Sequence, residues 1–165
     1  MPTAEDIQHS LIPWLRRNSL NQIVMCNVFL KDSPFEADAI RVTKACYWHE
    51  YEIKISVADY HADFQKTAGY GKQGDAKHDL YSSDSAIVTR WGIRPKPKSF
   101  SFVVPIGLLE GIDVPAHCGI IEYGEKLTYW NVKVKRPSPT LKNATKLTPE
   151  QIFNLACKAA CRINI

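Results

Sequence analysis

Glu52 and Lys54 stand two residues apart in Tyr51-Glu52-Ile53-Lys54-Ile55-Ser56. A strand's period of two puts Glu52, Lys54 and Ser56 on one face, with Tyr51, Ile53 and Ile55 on the other. A carboxylate and an ammonium are thereby held side by side on an otherwise apolar strand. Upstream, Phe35-Glu36-Ala37-Asp38-Ala39-Ile40 is also strand-like, and pairing the two segments would bring Asp38 next to Glu52. Two carboxylates make a seat for a hard cation such as Mg²⁺, or Mn²⁺ in its place, with the backbone carbonyl of Ile53 and phosphate oxygens completing an octahedral shell. Lys54 would orient the attacking water or offset charge developing on the phosphorus oxygens. Asp38, Glu52 and Lys54 are thus the parts of a metal-dependent phosphodiesterase; an ordinary cross-strand ion pair is the simpler alternative.

The elements that must position these residues can be read from local signals. Thr3-Ala4-Glu5-Asp6 resembles a capping box, opening a helix with an apolar stripe of Ile7, Leu11, Trp14 and Leu15 and a Pro13 expected to kink or shorten it. Strands are expected over 22–30, 36–45 and 46–56, the first two joined by the turn Lys31-Asp32-Ser33-Pro34. Ser56 and Asp59 would cap a second helix, with Tyr60 and Phe64 inward and Asp59, Asp63 and Lys66 outward. The Gly-, Ser-, Lys- and Pro-rich stretch 69–99 reads as an irregular excursion. Strands follow at Ser99–Pro105, Cys118–Tyr123 and Lys126–Val134, the last two forming a hairpin with a bulge near Trp130-Asn131. Thr148-Pro149-Glu150-Gln151 opens a terminal helix whose inner face holds Ile152, Leu155, Ala156, Ala159 and Ile163. This order predicts an α/β fold, a central sheet flanked by helices.

A chain of 165 residues, 45% hydrophobic, can bury a core as one domain spanning 1–165, and its net charge is +4. Acids prevail between residues 31 and 63, whereas Lys126, Lys133, Lys135, Arg136, Lys142, Lys146, Lys158 and Arg162 crowd the last forty residues. That asymmetry suits a metal site with a basic rim receiving a polyanion, or else a solvated lysine surface. Five scattered cysteines give no disulfide framework, and buried reduced thiols are the expectation. Cys157 and Cys161 lie one helical turn apart but lack a second ligand pair for zinc, and the adjacent His117-Cys118 reads as a strand entry, not a nucleophile. No apolar run reaches the length of a membrane span, and no signal-peptide core is present, so a cytoplasmic location is expected.

The arrangement of Asp38, then Glu52-Ile53-Lys54, then a helix, resembles the PD-(D/E)XK nuclease superfamily. The string Glu52-Ile53-Lys54-Ile55-Ser56-Val57-Ala58-Asp59-Tyr60-His61-Ala62-Asp63-Phe64 is similar to its MmcB-type DNA repair branch. Phe100-Ser101-Phe102-Val103-Val104-Pro105, Leu108-Leu109 and Val114-Pro115-Ala116-His117-Cys118-Gly119-Ile120-Ile121 resemble that branch's later segments, so the likeness runs over about residues 36 to 135. Two departures stand out: Ala37, not proline, precedes Asp38, and 82–98 reads as an inserted loop.

The resemblance implies a restriction-endonuclease-like core of αβββαβ order, with a mixed sheet and extra strands and a helix at the C-terminal end. It further implies a Mg²⁺- or Mn²⁺-dependent deoxyribonuclease acting in DNA repair or processing. DNA is the implied partner, a second copy of the chain is an open option, and no membrane is involved. Glu5 would be an additional metal ligand of the kind some members carry, or a helix-capping acid. Weaker nucleic-acid candidates are Ser56, Gln65 and Lys66 near the motif, set against capping and solvation. Lys77 and His78 could bind phosphate and handle protons, and Arg90, Trp91 and Arg94 could stack on unpaired bases or anchor the loop. Two other functions remain open: a non-catalytic nucleic-acid-binding module on the same scaffold, and a hydrolase for a small phosphorylated substrate, whose affinity would respond little to salt.

Overall fold

The computed structural model describes residues 2–17, 22–31, 33, 35–68, 75–84, 88–89, 92–93, 95–125 and 129–162. Helix α1 (Ala4–Arg17) is opened by a reciprocal cap: Thr3 Oγ1 accepts from Asp6 N at 3.1 Å, and Asp6 Oδ2 accepts from Thr3 N at 2.8 Å. Pro13 lies within the helix and does not end it. Strands β1 (Ile23–Phe29), β2 (Glu36–Val42) and β3 (Trp48–Ile53) form an antiparallel meander. Helix α2 (Val57–Asp63) follows, then the short pair β4 (Thr67–Ala68) and β5 (Asp75–Ala76), helix α3 (Lys77–Ser82), and a second short pair β6 (Val88–Thr89) and β7 (Gly92–Ile93). Strands β8 (Ser99–Pro105), β9 (Cys118–Tyr123) and β10 (Val132–Arg136) and helix α4 (Pro149–Arg162) complete the chain.

The main sheet has the order β1-β2-β3-β8-β9-β10 and is mixed. β3 pairs in parallel with β8, and β8 with β9, while the outer pairs are antiparallel. A parallel β3–β8 pair requires a crossover, and α2 and α3 supply it. The architecture is therefore α/β, a six-stranded mixed sheet with helices on both sides.

Strand parity divides the core. On one face, Ile7, Leu11 and Leu15 of α1 pack on Val24, Ala39, Tyr51, Ile53, Val103, Ile121 and Val132. On the other, Tyr60 of α2 and Leu80 and Tyr81 of α3 meet Phe100, Phe102, Val104, Cys118 and Ile120. Toward the β1 edge of the sheet, Met25, Ile40, Val42 and Trp48 cluster with Leu147 and Leu155. Gly119 of β9 is required for space: a Cβ there would sit 2.8 Å from Ser138 N and 2.9 Å from Ser101 Oγ, where the chain after β10 recrosses the sheet.

Several expectations need correction. The excursion 69–99 is not wholly irregular, because it contains α3, whose Lys77, His78, Leu80 and Tyr81 are buried. The bulge falls between Val134 and Arg136, with Asn131 left-handed at φ 56° just before β10. In α4, Leu155 is buried and Ile152 and Ala159 pack partly, but Ala156 is exposed and Ile163 lies outside the described residues. Buried thiols fit Cys118 alone among the cysteines with described side chains: Cys26 and Cys46 are half-buried and Cys157 is exposed.

Candidate active site

Pairing between β2 and β3 runs through Ala39↔Tyr51. One step further, Asp38 stands opposite Glu52, and there the strands part: Ile53 N donates to the Asp38 carboxylate, Oδ2, at 2.7 Å. The splay opens a cleft of about 670 Å³ lined by Ala4, Glu5, Gln8, His9 and Asn27 on one side and Asp38, Glu52, Ile53, Lys54, Asp59 and Lys66 on the other. Gln8 of α1 fixes that wall, donating to the Asp38 carbonyl at 3.1 Å and to Asn27 Oδ1 at 3.3 Å. All three residues of the expected trio thus face one cleft. Burial, followed by repulsion from Glu52, lifts the Asp38 carboxyl to about 6.

Glu52 is only 1% exposed and is surrounded by ammonium groups. Its Oε1 lies 2.5 Å from Lys77 Nζ, and its Oε2 lies 3.2 Å from both Lys54 and Lys66. Burial opposes its charge, but Lys77, Lys54 and Lys66 outweigh burial and hold the carboxyl below its ordinary range. The same lysines reach Asp63, on the last turn of α2: Lys54 at 2.9 Å and Lys66 at 2.6 Å from Oδ1. Asp63 Oδ2 meets His78 Nε2 at 2.8 Å. Lys77 also pairs with Glu50 at 2.7 Å, and Tyr81 donates to Glu50 at 2.6 Å. Glu50, Glu52 and Asp63 therefore share three lysines in a continuous buried network.

Lys54 stays a cation here, since the opposing effect of burial is overcome by Glu52 and Asp63 and its pKa rises. It can donate to developing negative charge but is no general base. Glu52 repels the Asp38 carboxylate across the cleft wall, a repulsion that a bound divalent cation would relieve. Lys66, 38% exposed in its side chain, can turn out to solvent, which leaves Glu52 Oε2 shared with Lys54 alone, still 3.2 Å away. Asp38, Glu52 and the Ile53 carbonyl are the groups on this wall that could hold Mg²⁺ or Mn²⁺, Glu52 in competition with the lysines on its oxygens.

The remaining candidates divide clearly. Glu5 lines the cleft from the first turn of α1, exposed and 4.0 Å from His9. Ser56 caps α2, its Oγ accepting from Asp59 N at 3.1 Å. Gln65 is exposed and does not line the cleft. Lys77 does not take the expected phosphate-binding role: it is wholly buried beneath Glu50 and Glu52, 4.9 Å from the Phe100 ring centroid, and cannot meet a phosphate. His78 is buried too, stacked on Phe64 at 4.1 Å between ring centroids. Arg90, Trp91 and Arg94 lie outside the described residues.

The structure likewise departs from the basic rim. Lys135 pairs with Glu122, Lys142 with Asp84, and Arg136 donates to the carbonyls of Val114, Pro115 and Cys118. None of these lines the cleft, whose lysines among the described residues are Lys54 and Lys66.

Sequence reasoning missed Glu50 and Tyr81. Glu50 shares the parity of Glu52 and Lys54 and could have been added on that signal alone. Asp63 was assigned outward, but it is fully buried and oriented toward Lys54.

A solved structure shares this architecture. The SPO1766 protein of unknown function from Silicibacter pomeroyi superposes with a TM-score of 0.63 at 15% sequence identity, covering 99% of this chain and 90% of that one. The likeness is one of fold. No protein-family model and no curated protein matches the chain. Among the described residues, no helix is long and apolar enough to cross a membrane.

Proposed function

We propose that the protein is a metal-dependent nuclease hydrolysing DNA phosphodiester bonds at the cleft between α1 and the splayed ends of β2 and β3. The reading is carried by one observation: Asp38 and Glu52, from neighbouring strands, and Lys54, two residues further on, line the same open cleft. Asp38, Glu52 and the Ile53 carbonyl would hold Mg²⁺, which when bound polarises the phosphate and lowers the pKa of water. Lys54 is held by Glu52 and Asp63 with its charge intact, ready to donate to the phosphate oxygens as they gain charge. Gln8 fixes the Asp38 backbone and so the spacing of the two acids. The PD-(D/E)XK likeness, a restriction-endonuclease-like core and a role in DNA repair belong to this same proposal.

A second reading is favoured by the lysines on Glu52, which already engage both of its oxygens: a nucleic-acid-binding module that does not turn over. Incubation of plasmid and linear DNA with the protein, in Mg²⁺, in Mn²⁺ and then in EDTA, separates the two. The nuclease cuts with metal and stops in EDTA, and Lys54→Ala lowers cutting about 100-fold or more while DNA retardation on gels persists. Retardation without cutting in every condition would establish the binding module instead.

A further inference from the structure

We propose that His78, His117 and Cys118 form a second metal centre, separate from the Asp38–Glu52 cleft, that takes a zinc-type transition-metal ion. The three residues come from different places: α3, the loop after β8, and the first position of β9. Their ligand atoms all lie within 4.8 Å of one another. His78 Nδ1 is 3.0 Å from His117 Nε2 and 3.9 Å from Cys118 Sγ. A tetrahedral ion with bonds of about 2.0–2.1 Å to nitrogen and about 2.3 Å to sulfur needs separations of about 3.3 Å and about 3.6 Å. Both observed distances lie within about 0.3 Å of these, and the third, between His117 and Cys118, is at most 4.8 Å.

The surroundings match what such a centre needs. Asp63 Oδ2 sits 2.8 Å from His78 Nε2, so the ring proton belongs on Nε2 and the Nδ1 lone pair points at His117 and Cys118. A carboxylate behind a ligating imidazole is the usual orienting device of transition-metal sites. The His78 ring cannot turn freely, being stacked on Phe64 and set edge-on to Phe100 at 5.2 Å. Two imidazoles and a thiolate select zinc or cobalt over magnesium or calcium. His117 is half-buried, which leaves one side for water as the fourth ligand. On binding, the metal–sulfur bond replaces the Cys118 S–H bond and the proton leaves to solvent. The ion would staple α3 and β9 together from below Asp63, and nothing in this argument depends on the nuclease reading.

Cobalt is the probe. The full chain, stripped with chelator and titrated with Co²⁺, should take up one equivalent with a thiolate-to-cobalt charge-transfer band in the near ultraviolet and the intense visible bands of a tetrahedral ion, all displaced by Zn²⁺. Cys118→Ser should lose the charge-transfer band, and His117→Ala, which removes a half-exposed ring and leaves the core intact, should weaken Zn²⁺ binding at least about tenfold. Cys157→Ser, at an exposed thiol, should change nothing. The proposal is overturned if wild-type protein shows no such band, if the band survives in Cys118→Ser or disappears in Cys157→Ser, or if His117→Ala binds Zn²⁺ as tightly as wild type.

Discussion

The two faces of β3 solve opposite problems. Tyr51 and Ile53 turn toward α1 and pack against Ile7, Leu11 and Leu15, all three at 0% exposure. Glu50 and Glu52, one position away in each case, are equally buried but are carboxyls, matched by Lys54, Lys66 and Lys77. The first face gains from removing hydrocarbon from water. The second incurs desolvation for every ion and recovers it through pairing, so it contributes little net stability while fixing side chains in place. A site able to do chemistry accompanies the charged face because only there are titratable groups rigid and close together.

Removing Lys77 should break this comparison most severely. Lys77→Ala leaves Glu50 and Glu52 without their shared partner and should cost about 3–5 kcal/mol in urea unfolding. Lys77→Met, which keeps the stem, should lose nearly as much; tolerance of methionine would mean that volume, not charge, holds this face together. On the α1 side the result should reverse. Leu11→Ala should cost about 3 kcal/mol, whereas Leu11→Met should cost less than about 1.5 kcal/mol.

Asp38 gives a smaller effect with a pH signature. Its carboxyl is raised from 3.8 to about 6 on folding, so its contribution to stability is fully present below 3.8 and is lost as pH rises through 6. Asp38→Asn should therefore stabilise metal-free protein by about 1 kcal/mol above pH 6, with the difference in melting temperature from wild type vanishing toward pH 4. The same variant should lose all metal-dependent cutting. Ser56→Ala, smallest, should cost about 0.5–1 kcal/mol through the lost helix cap and leave DNA retardation unchanged; weaker retardation would return Ser56 to the binding surface.

What could be read from sequence was whatever a strand or a cap encodes locally. The parity of Glu52 and Lys54, the reciprocal caps at Thr3 and Thr148, and the bounds of β8 and β9 depend on neighbours within a few residues. Asp63 was misread because α2 carries acids at 59 and 63 in the pattern of a solvated face, and only the crossover to β8 places that face over Lys54. His78 and His117 are 39 residues apart, and no local rule joins them. Lys77 reads in sequence as a phosphate-binding candidate because its two carboxylates come from a strand in another part of the chain.

Gly119 leads to an expectation of a different kind. In a saturation library scored for folded protein, its column should be empty, alanine included, because even one methyl group displaces the Ser138 segment from the sheet. Gly107 and Gly111, which are glycine for their positive φ of 78° and 74°, should instead accept asparagine. The same residue type would thus show two tolerance profiles, one set by room and the other by backbone torsion.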